Sequence, residues 1–128
     1  MKLNPDCLRD VLISVEENTS YNVGTYYPSD EMNSLKKKYS DMQIRYHILQ
    51  AAKAKLIEPI TEDDDLSRIY IDDLTPAGHD FLANIRNDNF FNKAKNTAKE
   101  LGLESVRDIY HISTSMALVA IKEHFGLL

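Results

Sequence analysis

Between two helix-patterned stretches the chain changes its hydrophobic period. Leu56-Ile57-Glu58-Pro59-Ile60 is short and β-branched, and residues 61–66 are polar and acidic. Arg68-Ile69-Tyr70-Ile71 then alternates, with Ile69 and Ile71 on one face and Tyr70 on the other. Two such runs around a polar tip predict a hairpin over 56–72, with a loop too long for a two-residue turn. Pro59 cannot donate to a ladder, so it marks a sheet edge or a strand end. A plain three-helix bundle is the competing arrangement, but it leaves Ile69-Tyr70-Ile71 without a role.

Start signals place helices on both sides of the hairpin. Asn4-Pro5 reads as N-cap and first helical residue, because proline loses nothing where the N–H is an orphan. Leu8, Val11, Leu12 and Val15 continue at helical spacing and predict a helix over 5–17. The segment 18–28 holds Gly24 and β-leaning Tyr21, Val23, Tyr26 and Tyr27, which suits a short extended piece. Ser29 predicts a short helix over 29–38. Ser40 and Gln43 match an S-x-x-Q capping box for a helix over 41–54, with Ile44, His47, Ile48 and Ala51 as its buried stripe. Thr75-Pro76 repeats the cap-then-proline signal for 76–87. Asp88 opens a helix over 89–101, stopped by Gly102, and Ser105 caps a last one over 105–124.

The order helix, short strand, helix, helix, hairpin, helix is that of a winged helix-turn-helix. The expected fold class is therefore α+β, mainly α: a winged domain over 1–88 with a C-terminal helical extension over 89–128. The helix over 41–54 is the candidate recognition helix and the hairpin is the wing.

Charge is unevenly spread along this order. Residues 36–55 carry Lys36, Lys37, Lys38, Arg45, Lys53 and Lys55 against Asp41 alone, a net of +5 inside a chain of net −5. Residues 56–75 carry a net of −6. A charge run is often only a solvated face. At the turn into a recognition helix, phosphate contact is the competing reading. The candidate DNA contacts are Lys36, Lys37, Lys38, Tyr39, Gln43, Arg45, Tyr46, Gln50 and Lys53. The expected partner is double-stranded DNA, bound modestly and with strong salt dependence, because an acidic wing repels a backbone unless it points away. On this reading the protein is a small regulator. The alternative is a winged protein-interaction module that does not bind DNA.

The last helix is longer than a winged domain needs. Ile109, Tyr110, Met116, Ala117, Ala120, Ile121 and Phe125 lie on its apolar stripe, which fits either a homodimer or a seat on the first helix at Leu8, Leu12 and Val15.

Little in the sequence points to chemistry. Single Cys7 and scattered His47, His79, His111 and His124 do not offer four converging zinc ligands. Asp63, Asp64 and Asp65 lack the glycine and the ligand spacing of a calcium loop, and read as a solvated tip. Cys7 beside Leu8 reads as a small packed hydrophobe. His47 and His79 read as local packing and capping groups. No P-loop, GxSxG or HExxH is present, so no enzyme activity, metal or cofactor is expected. No run of 18 apolar residues exists, and MKLNPDCLRD lacks the apolar core of a signal peptide. A reducing, cytoplasmic setting is the expectation.

Leu74-Thr75-Pro76-Ala77-Gly78-His79-Asp80-Phe81-Leu82 followed by Arg86-Asn87-Asp88 resembles the hallmark segment L-T-x-x-G-H-D-F-L…R-N-D of a YjcQ-like bacterial and phage family of unknown function. Phe90-Phe91-Asn92-Lys93-Ala94-Lys95 is similar to the family's aromatic-N-K-A-K stretch, with Phe91 in the place of its usual tryptophan. Asn4-Pro5-Asp6-Cys7-Leu8-Arg9-Asp10, Glu16-Glu17-Asn18 and Tyr46-His47-Ile48-Leu49-Gln50 are similar as well. The resemblance covers about residues 4–101. It implies a winged-helix fold and a phage or prophage context, and it implies no catalytic residues.

Overall fold

Each α-helix starts at a side-chain cap. Asn4 Oδ1 accepts from the N–H groups of Asp6 at 3.0 Å and Cys7 at 3.4 Å, and so opens α1, Pro5–Asn18. Ser40 and Gln43 complete a reciprocal capping box at the start of α2, Asp41–Lys53. Thr75, Asn87 and Ser105 cap α3 (Pro76–Ile85), α4 (Asp88–Leu101) and α5 (Val106–His124). The computed structural model describes residues 1–62 and 67–127, and only the backbone over 59–62. Among these residues the protein is α+β and mainly helical, with five α-helices and one three-stranded sheet. The acidic tip Asp63, Asp64 and Asp65 lies outside the described residues.

The sheet is antiparallel, in the order β1 (Thr25–Tyr27), β3 (Ile69–Leu74), β2 (Ile57–Glu62). Thr25 pairs with Ile71 and Tyr27 with Ile69, while Ile57 pairs with Leu74. β2, which contains Pro59, is an edge strand, where a missing N–H is tolerated. Ile69 and Ile71 face the core. Tyr70 faces outward and meets Tyr26 at 5.1 Å between ring centroids.

Residues 29–38 depart from the expected α-helix. Ser29 Oγ accepts from Met32 N–H at 3.2 Å, and Ser29 O accepts from Asn33 N–H at 2.8 Å. A 3-10 helix then spans Asn33–Lys37. Only Met32 and Leu35 are buried here, Asn33 and Ser34 are poor helix formers, and three adjacent lysines repel one another, so nothing supports an extended α-helix.

The core is formed by Leu8, Val11, Leu12 and Val15 of α1, Ile44 and Ile48 of α2, the inner face of the sheet, and Phe81, Leu82 and Ile85 of α3. It continues past residue 88, because Phe91, Ala98, Val106 and Ile109 belong to the same cluster. α5 is seated on α3 and α4 rather than chiefly on α1. Tyr110 packs on Phe81 at 5.4 Å. Of the residues expected at a dimer face, Ile109 is buried within the chain and Tyr110 is half-buried against Phe81. The C-terminal half of α5 is different: Ile121 is 54% exposed and Phe125 70%.

Candidate nucleic-acid interface

α2 is held by its inner face and its first turn. His47 is fully buried and joins α2 to the start of α1. Its Nδ1 donates to Gln43 O at 2.6 Å, and its Nε2 accepts from Asn4 N–H at 2.8 Å. Both bonds require the neutral ring, and burial lowers the His47 pKa below the usual histidine value. Tyr27 Oη donates to Asp41 Oδ1 at 2.7 Å. That bond, followed by Arg45, holds the Asp41 carboxyl below its ordinary range. Cys7 packs beneath the same turn, and burial, then the charge of Asp10, pushes its thiol up to about 12. Such a thiol is an inert packed group.

The nine expected DNA contacts separate into two sets. Tyr39, Gln43 and Arg45 are committed within the chain. Tyr39 Oη donates to Asp10 Oδ2 at 2.6 Å, which ties the 3-10 helix to α1. Burial and that carboxylate push the Tyr39 hydroxyl above its ordinary value. Gln43 Oε1 is used by the capping box, where it accepts from Ser40 N–H at 3.0 Å. The Arg45 guanidinium pairs with Asp41 at 2.9 Å, donates to Ser67 O at 2.9 Å and lies 5.3 Å from the Tyr27 ring centroid. It fastens α2 to the segment just before β3. These three residues were expected at a DNA surface, and the structure gives each an internal partner.

Lys36, Lys37, Lys38, Tyr46, Gln50 and Lys53 make up the other set. Lys36 and Lys37 are exposed, and the Lys36 ammonium stands 5.8 Å from the Tyr27 ring centroid. Lys38 is also exposed, with Asp10 3.7 Å away. Tyr46 and Gln50 are half-buried on α2, and Lys53 is exposed in its last turn. Helical spacing puts Met42 and Leu49 on the outward side with Tyr46 and Lys53. Met42 is 70% exposed. The sequence pattern gave no reason to select either residue.

A second structural group lies at the end of α2. Thr75 N–H donates to Leu56 O at 3.0 Å and Thr75 Oγ1 donates to Lys55 O at 2.6 Å, while the same hydroxyl accepts from Gly78 N–H at 2.9 Å. A Cβ on Gly78 would stand 2.0 Å from Leu56 O. Glycine is therefore required for α3 to close onto the end of α2. This lock carries the Thr-x-x-Gly spacing of residues 75–78.

A family model described as a hypothetical protein, DUF2513, matches residues 2–104. The chain belongs to the DUF2513 family. No curated protein and no solved structure matches it. The DUF2513 match takes in α1 to α4, the whole sheet and the Thr75–Gly78 lock, and it ends before α5.

Two clefts border α5. An apolar groove of about 430 Å³ runs between the C-terminal half of α5 and the α3–α4 junction, lined by Ala83, Phe90, Ala117, Ile121 and Phe125 among others. A cleft of about 310 Å³ opens between the end of α2 and the first turns of α5. Among the described residues no three of His, Cys, Asp and Glu converge as a metal site, and no helix is long and apolar enough to cross a membrane.

Proposed function

We propose that this DUF2513 protein is a winged helix-turn-helix protein that binds double-stranded DNA through α2 and the 3-10 helix before it, as a small regulator. The observation that carries this reading is the uncovered outer side of α2. Tyr46, Gln50 and Lys53 lie along it, and the exposed residues Lys36, Lys37 and Lys38 precede its N-terminus. The element order and the sheet order β1-β3-β2 support the winged reading, with the β2–β3 hairpin as the wing. The YjcQ-like kinship and a phage or prophage setting rest on the segment resemblance at 74–95.

With Tyr39, Gln43 and Arg45 occupied, base contacts fall to Tyr46 and Gln50, and phosphate contacts to the lysines. Four such lysines, Lys36, Lys37, Lys38 and Lys53, correspond to a salt slope of about −3.6 in log K against log salt. A homodimer formed through the exposed half of α5 belongs to the same proposal, because pairing presents two α2 helices to two half-sites. Met42 favours one other reading, in which the outer side of α2 docks a partner protein, since an exposed methionine suits a repacking protein surface.

Fluorescence anisotropy with a labelled duplex at two salt concentrations tests the proposal. Replacing Lys36, Lys37 and Lys38 by alanine should weaken binding equally on all sequences and flatten the salt slope. Tyr46→Ala should change sequence preference, whereas Gln43→Ala should lower stability and leave preference alone. No duplex binding at low salt would refute the regulator and leave the partner-docking reading in its place.

A further inference from the structure

The cleft between α2 and α5 carries an inference that goes beyond duplex binding. α2 ends in a Schellman turn: Lys55 N–H donates to Ala52 O and Leu56 N–H to Ala51 O, each at 2.9 Å. The residue at the left-handed position of such a turn is ordinarily glycine. This chain follows that rule at the other two helix ends that close this way, with Gly102 at φ +69° and Gly126 at φ +68°. At the end of α2 the position holds Lys55, at φ +61°. A side chain there costs stability that glycine would not, and the Thr75–Gly78 lock fixes the turn in place.

Lys55 lies on the rim of the 310 Å³ cleft together with Lys53, Arg107 and His111. Among the described residues no carboxylate lines the cleft. Among the described residues Lys53, Lys55 and Arg107 make no ion pair. The floor is apolar, formed by Leu56, Ala77, Val106 and the Tyr110 ring. Cations on the rim over an apolar floor, in a volume at the small end of ligand sites, match a compact anion with an apolar body. A duplex backbone would reach the rim and leave the floor empty.

We infer that this cleft binds a small phosphate monoester with an aromatic or aliphatic body. Lys53, Lys55 and Arg107 take the phosphate, and Leu56, Ala77, Val106 and Tyr110 take the body. Because the end of α2 and the first turns of α5 both line the cleft, such a ligand would bridge the two.

Amide NMR titration of the full chain with phenyl phosphate tests the site, with inorganic phosphate and phenol as its two halves. Phenyl phosphate should shift amides over 53–56 and 106–111 and bind about tenfold or more tightly than either half. Lys55→Gly should weaken phenyl phosphate about tenfold while raising the thermal midpoint, since it removes the cation and relieves the left-handed turn. Arg107→Ala, on the exposed first turn of α5, should weaken binding similarly with the fold unchanged. The inference is overturned if phenyl phosphate leaves those amides unmoved, if inorganic phosphate binds equally well, or if both variants bind like the wild type. It is also overturned if a duplex oligonucleotide shifts these amides and phenyl phosphate does not, which would assign the cleft to backbone phosphates.

Discussion

His47 should make this protein lose stability on mild acidification. The ring is fully buried and bonded on both nitrogens, donating from Nδ1 and accepting at Nε2. A proton on Nε2 would face the Asn4 N–H, which is already a donor, so the folded state holds the neutral form and its pKa lies below the unfolded 6.5. The sign follows from proton counting: below pH 6.5 the unfolded chain binds the proton and the folded chain does not, so stability falls as pH falls. From pH 7 to 5.5 the loss is at most about 1.3 kcal/mol, provided the folded ring stays unprotonated. The depressed Asp41 carboxyl contributes in a separate window, because its stabilisation is lost only as pH falls below about its ordinary 3.8. The other three histidines are exposed. With no tryptophan in the chain, urea unfolding followed by far-ultraviolet circular dichroism at pH 7 and 5.5 is the suitable assay. His47→Gln should cost about 2 kcal/mol at pH 7, about 1 kcal/mol for each of two hydrogen bonds, and should remove the extra loss at pH 5.5. Parallel losses in wild type and variant between these pH values would refute the reasoning.

The remaining predictions concern packing. Gly78→Ala should lower stability by about 3 kcal/mol, because its Cβ meets the Leu56 carbonyl at 2.0 Å rather than a movable side chain; an unchanged thermal midpoint would contradict this. Truncation after residue 104 should strip Val106 and Ile109 from the core at a cost of about 4 kcal/mol and give an unstable domain, which circular dichroism would report. Ile121→Asp with Phe125→Asp should leave the fold intact and abolish self-association. A single 14.7 kDa species for the unaltered chain in sedimentation at micromolar concentration would rule out the proposed dimer.

The local elements were legible because their signals are local. Asn4-Pro5, Ser40 with Gln43, Thr75-Pro76 and Ser105 each satisfy N–H groups within three residues, so the caps stand where the sequence puts them. The alternation at Ile69-Tyr70-Ile71 and the proline in the partner strand also specified a hairpin with an edge. Over 29–38 the cap signal at Ser29 is genuine, but only a short 3-10 helix follows it instead of the expected α-helix.

The capped helices, the hairpin and the concentration of positive charge over 36–55 follow from neighbouring residues alone, since propensity, period and charge are local properties. Which of those residues stay available depends on how distant segments pack. Arg45 meets Ser67, Tyr39 meets Asp10 and His47 meets Asn4 across separations of 22 to 43 residues. The same long-range packing set α5 on α3 and α4 and brought Arg107 and Lys55 to the lining of one cleft. A side chain's partner depends on how distant segments meet, and no local pattern carries that information.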